Sequence, residues 1–145
     1  MARMARMSGD RSCGRPVRLA EGRLTRQIIG SFFDVYNELG YGFLERVYRE
    51  AFRIVLAERG FAVRCEVPVD IQFHGQHIGT YRADMIVDDR VIIELKAGAA
   101  LPPGSKAQLL NYLRLSGREV GLLLFFGPTP EFQRVIASRS RSDAT

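Results

Sequence analysis

The hydrophobic period of this chain changes once, at Gly60, and that change constrains the fold more than any other feature. From Leu24 the apolar positions Ile28, Ile29, Phe32, Phe33, Tyr36 and Leu39 recur on one helical face, and "LGYG" at 39–42 closes the helix with glycines. A second helix over about 43–59 carries Leu44, Val47, Tyr48, Ala51, Phe52, Val55 and Leu56 on one stripe and stops at Gly60. Beyond it the period is two. "FAVRCEVPVDIQF" (61–73), "HIGTYRADMIV" (77–87) and "RVIIELKA" (90–97) read as strands separated by the hairpin breaks "HGQ" and "DD", which makes an antiparallel meander. "PPGSKAQLLNYLRLSG" (102–117) opens with Pro, closes with Gly and spaces Leu109, Leu110 and Leu113 as a helix does. "EVGLLLFF" (119–126) is an unbroken apolar run of the kind that forms a strand covered on both faces, and "EFQRVIA" (131–137) reads as an edge strand or a short helix. The expected class is α/β of the α+β kind, in the order helix, helix, three strands, helix, strand.

A chain of 145 residues, 46% apolar and 26% charged, suits one domain with a sizeable core. Residues 1–21 are rich in Arg, Gly and Ser without sustained periodicity and are expected to be a disordered tail, as are residues 138–145; the domain is expected over 22–137. The longest apolar run, "VGLLLFF", is far short of the roughly 20 residues that span a bilayer, and the Arg-studded start has no apolar stretch of the signal-peptide kind. No membrane association and a cytoplasmic location are expected. Cys13 and Cys65 show no metal-type spacing. The net charge of +5 sits at the ends: residues 24–136 hold 13 basic and 13 acidic side chains. Terminal arginines suit either salt-sensitive attraction to phosphate or a solvated tail.

"VIIELKA" (91–97) places Glu94 and Lys96 inside an apolar strand, both on the face of Ile92. A three-residue turn at 88–90 sets Val87 opposite Val91 and brings Asp84 opposite Glu94 on that same face. Adjacent carboxylates repel, and a divalent cation converts that repulsion into affinity; Mg²⁺ accepts one or two carboxylates with water and phosphate oxygens completing its shell. Lys96 beside them is a point charge that can meet a phosphoryl oxygen or assist an attacking water, and it is one of only two lysines in an Arg-biased chain. On spacing alone the trio equally suits a solvent-facing charged row in which Lys96 neutralises its neighbours. Glu45, with Arg49 one turn on, reads as an ordinary i, i+4 surface pair. Tyr48 lies inside the apolar stripe and reads as core. Gln108 and Tyr112 share a helix face beside the leucines, serving scaffold or site alike. His74 and His77 flank a turn glycine, lack a third ligand and read as solvated rings.

"GFLERVY" at 42–48 fits a G-x-x-E-x-x-Y signature, and "YRADMIVDDRVIIELKA" followed by "QLLNYL" fits the rest of that pattern. Over roughly residues 24–137 the chain therefore resembles the GxxExxY proteins, a group similar to the P-D-(D/E)-x-K nuclease superfamily. The resemblance implies a restriction-endonuclease-like core with an extra N-terminal helix. It further implies metal ligation by Asp84, Glu94 and the Leu95 backbone carbonyl, with Lys96 assisting and Glu45 joining or steadying the site. Gln108, Tyr112 and Tyr48 would support it. Ala83 stands where the superfamily's name has Pro. The function so implied is Mg²⁺- or Mn²⁺-dependent hydrolysis of DNA phosphodiester bonds. The alternative is a non-catalytic module of the same fold binding nucleic acid or a protein, which the charge neutrality of 24–136 favours and the adjacent acids oppose. So small a core leaves grip and selectivity to a homodimer or larger complex.

Overall fold

A computed structural model describes residues 15–138. Its elements are α1 (Arg15–Leu39), α2 (Glu45–Glu58), β1 (Val63–Phe73), β2 (Gln76–Val87), β3 (Val91–Ala97), α3 (Ser105–Ser116), β4 (Val120–Phe126) and β5 (Pro130–Ile136). One expectation is corrected here. α1 begins at Arg15, so residues 15–21, read as tail for want of periodicity, are helical and extend the first helix by two turns. Residues 1–14 and 139–145 lie outside the described range, and the readings made for them with it.

The five strands form one sheet in the order β1-β2-β3-β4-β5. β1, β2 and β3 are the antiparallel meander, β4 runs parallel to β3, and β5 returns antiparallel at the edge, which decides the 131–137 segment as strand. Two parallel neighbours need a crossover, and α3 supplies it. Both hairpin turns are made by backbones in the left-handed region: His74 and Gly75 at φ 52° and 75°, then Asp88 and Asp89 at 53° and 56°. Asp is among the few residues with a Cβ that tolerate that region, and Asp88 Oδ1 also ties the turn to the residue before β1 by accepting the Ala62 N–H at 2.9 Å. The second turn spans three residues, and Val87 pairs with Val91, the register anticipated from the sequence.

Helices cover both faces of the sheet. α1 and α2 bring Ile28, Phe32, Val35, Tyr48, Phe52 and Leu56 onto Val91, Ile93 and Leu95 of β3 and Leu122, Leu124 and Phe126 of β4. On the other face Leu109 and Leu113 of α3 meet Ile86, Ile92 and Leu123. Every residue of β4 is buried, as an uninterrupted apolar strand between two layers must be. α3 rides close to that strand over Gly121, where a Cβ would stand 3.2 Å from both leucines.

Candidate active site

The β2–β3 ladder runs from Val87↔Val91 through Ile86↔Ile92 to Met85↔Ile93 and then stops. The next residue of β2 is Asp84. Its Oδ2 accepts the Leu95 backbone N–H at 2.8 Å, so a side chain takes the donor that a continued ladder would have used. The alternation of β2 slips at this point: Ala83 packs in the α3 layer, whereas Met85, two residues on, packs in the α1/α2 layer. Glu66 of β1, across from Asp84 between the Cys65↔Met85 and Val67↔Ala83 pairs, has φ 51°, a left-handed conformation unusual for a strand residue. The strands part here, and the Asp84 carboxylate fills the gap. Since N–H and C=O of one strand residue face the same edge, the Leu95 carbonyl is also turned toward this gap.

Glu94 and Lys96 stand on the facing strand. Glu94 Oε2 lies 3.3 Å from Lys96 Nζ, and Glu94 Oε1 accepts a hydrogen bond from the Tyr81 hydroxyl at 2.5 Å. The Asp84 and Glu94 side chains are each only 17% exposed, too buried for a solvent-facing row. Burial, and then the Glu94 charge, push the Asp84 carboxyl up to about 6, against the Leu95 N–H bond that favours its anion. Glu45, in the first turn of α2, is held above the usual carboxylate range by burial; Lys96 opposes that shift and Glu94 adds to it. The charges of 45, 84, 94 and 96 are thus felt in one place. Glu45 makes no ion pair among the described residues. Arg49 does not close the expected pair with it: its guanidinium lies 3.2 Å from Glu66 and 4.0 Å from Asp84, leaning from α2 toward the gap.

The residues around this cluster divide into those that build it and those apart from it. Tyr48 is fully buried, its ring stacked 4.1 Å from Phe126. Its hydroxyl donates to the Gly40 carbonyl at 2.5 Å and accepts the Phe43 N–H at 3.3 Å. It fastens the loop from which α2 springs, and so fixes where Glu45 begins. Gly40 and Gly42 serve that loop with φ of 82° and 115°, which residues with a Cβ rarely adopt. Tyr112 stacks on Tyr81, centroids 4.1 Å apart and planes 13° from parallel, and reaches Glu94 through it. Gln108 is exposed, and its side chain makes no hydrogen bond among the described residues. His77 pairs with Asp70 and His74 stacks on Phe73, both remote from the acids.

Comparison with known families adds one decisive finding: the model described as the PD-(D/E)XK nuclease superfamily matches residues 22–135. The chain belongs to the PD-(D/E)XK nuclease superfamily. Its mixed five-stranded sheet and three helices are the restriction-endonuclease-like fold of PD-(D/E)XK proteins. Comparison with curated proteins finds no match. Among solved structures the chain is similar to SSO0001, at 20% identity and TM-score 0.48 over 68% of this chain and 52% of that one. It is also similar to an alkaline exonuclease, LHK-Exo from Laribacter hongkongensis, at 14% identity and TM-score 0.47 over 64% of this chain and 56% of that one. The chain spans little more than half the length of each.

In this PD-(D/E)XK chain the donor set offered to a cation consists of hard oxygens: two carboxylates and the Leu95 carbonyl. Among the described residues no three His, Cys, Asp or Glu side chains gather as a metal-holding cluster. A cation here would rest on Asp84 and Glu94 with water completing its shell, a coordination Mg²⁺ accepts. Burial and then the Glu94 charge raise Asp84, and such an ion would offset the second of these. Sequence reasoning missed Tyr81 and Arg49. The available signal for Tyr81 was Glu94 itself, since a half-buried carboxylate needs donors. Arg49 could not be read, because the slip in β2 that exposes Asp84 to α2 leaves no mark on period-two spacing.

Proposed function

We propose that this protein is a divalent-metal-dependent nuclease that hydrolyses DNA phosphodiester bonds at the parted ends of β2 and β3. The observation that carries this reading is the half-buried pair Asp84 and Glu94 beside Lys96 within an apolar sheet, where burial and then the Glu94 charge hold the Asp84 carboxyl well above its ordinary range. A purely structural role gives no reason to keep them, because acids side by side cost stability and repel phosphate.

Asp84, Glu94 and the Leu95 carbonyl would hold the ion. When bound, Mg²⁺ or Mn²⁺ supplies Lewis acidity toward a phosphoryl oxygen and lowers the pKa of a water. Lys96, 3.3 Å from Glu94, offers its ammonium to the developing negative charge on the phosphate or to the attacking water. Glu45, half-buried in the first turn of α2 and sensing the charges of Lys96 and Glu94, would join or steady the ion. The net neutrality of residues 24–136 leaves backbone grip to the arginines at the chain ends and to a second copy or a larger assembly. The "GFLERVY" signature supports the finer GxxExxY affiliation.

The test incubates purified protein with single-stranded and duplex DNA in Mg²⁺, Mn²⁺ or EDTA, alongside Asp84→Ala and Lys96→Ala. Cleavage that requires metal and falls at least about a hundredfold in each variant is expected. Intact DNA in every lane, with DNA binding unchanged by either substitution, would instead identify a binding module.

A further inference from the structure

Glu94 is the one acid of the cluster whose two oxygens are held by different side chains, and the hold on Oε1 comes from outside the acid–x–Lys pattern. Tyr81 Oη donates to Oε1 at 2.5 Å while Lys96 Nζ stands 3.3 Å from Oε2. The phenol is itself held: its ring lies parallel to that of Tyr112, centroids 4.1 Å apart with 13° between planes. Tyr112 belongs to α3, which packs over β4 through Leu109 and Leu113 and also meets β1 and β5. A rigid chain of contacts thus runs from the α3 layer through two stacked rings to one oxygen of one carboxylate.

We infer that Tyr81 is a positioning residue that orients the Glu94 carboxylate for a divalent cation, with Tyr112 as its backstop. The inference rests on the nuclease reading above and specifies how one ligand of that site is aimed. A Glu side chain has three rotatable bonds and no preferred direction at a strand surface. Fixing Oε1 leaves Oε2 as the oxygen turned to Lys96. A phenol hydroxyl is a donor that a carboxylate oxygen can accept from, and the short bond to Oε1 holds that oxygen against the stacked rings. The arrangement has the logic of an outer-shell partner, whose removal typically weakens metal binding by 10–100-fold.

The discriminating change is Tyr81→Phe, which keeps the ring and its stack on Tyr112 and deletes only the hydroxyl. Mn²⁺ affinity is measured by electron paramagnetic resonance or calorimetry on the wild type, Tyr81→Phe, Tyr112→Leu and Glu94→Gln, with a thermal melt of each. The expected result is Mn²⁺ binding about tenfold weaker in Tyr81→Phe at a nearly unchanged melting temperature, a smaller loss in Tyr112→Leu, and the largest in Glu94→Gln. In cleavage assays the metal concentration giving half-maximal rate should rise correspondingly, and saturating metal should restore most of the rate. Wild-type Mn²⁺ affinity in Tyr81→Phe would overturn the positioning role and leave the nuclease reading intact. A wild type that takes up no Mn²⁺ would overturn both. A drop in stability without a drop in affinity would assign Tyr81 to packing alone and end the proposal.

Discussion

Asp84 stores an electrostatic cost that can be read out by pH. Its carboxyl titrates near 6 in the folded protein against an ordinary value of 3.8, so the folded state binds the proton more tightly than the unfolded chain. Stability attached to this group is therefore full below pH 4 and is lost as pH rises through 6. In metal-free protein Asp84→Asn, which can still accept the Leu95 N–H, should melt higher than wild type at pH 7–8 and match it near pH 4. Equal melting temperatures across that range would remove the argument that burial and the Glu94 charge hold this carboxyl up. Added Mg²⁺ should raise the wild-type melting temperature at pH 7.5 and leave that of Asp84→Asn almost unmoved. Among single residues, the shared face of Glu94 and Lys96 followed from alternation, whereas turn length put Asp84 opposite Glu94 and the ladder instead ends at Met85↔Ile93, where Asp84 turns to the Leu95 N–H. Tyr81 and Arg49 were not legible in the sequence, because both reach the site through a local slip of β2 and a helix–sheet approach, geometry that spacing along the chain does not encode.

At the level of elements, two contacts that shape the site can be tested by stability. Tyr48→Phe removes the hydroxyl that ties the Gly40 carbonyl and the Phe43 N–H to the buried ring. It should cost about 1–2 kcal/mol in urea denaturation, from a hydrogen bond lost and a carbonyl left wanting. A cost within experimental error of zero would show that the loop before α2 holds itself. Gly121→Val drives a branched side chain toward Leu109 and Leu113, where even a Cβ meets both at 3.2 Å. The expected cost is about 1–3 kcal/mol from overpacking. The element order was readable from the change of hydrophobic period at Gly60 and from the fully apolar run that became β4. Two features were harder. α1 extends to Arg15 through a stretch without an apolar stripe, and β5 is a seven-residue segment whose strand character comes from pairing with β4 rather than from its own pattern.

For the molecule as a whole, charge is the property with a functional consequence. The described domain is almost neutral, while Arg3, Arg6 and Arg11 lie before the first residue of α1. Deleting residues 1–14 leaves α1 uncut and removes those three cations. The slope of log affinity for DNA against log salt should then fall by about 2–3 if all three touch phosphate. An unchanged slope would put the phosphate contacts within the domain or on a partner. No helix among the described residues is long and apolar enough to cross a membrane.

The parallel pairing of β3 with β4 also bears on how the chain is made. β3 can join β2 as soon as the hairpin is complete, but its other edge waits for a strand that arrives only after α3, some twenty residues later. A nascent chain on the ribosome therefore carries "VIIEL" with an open edge through that interval, and a chain truncated near residue 118 should precipitate where the full chain stays in solution.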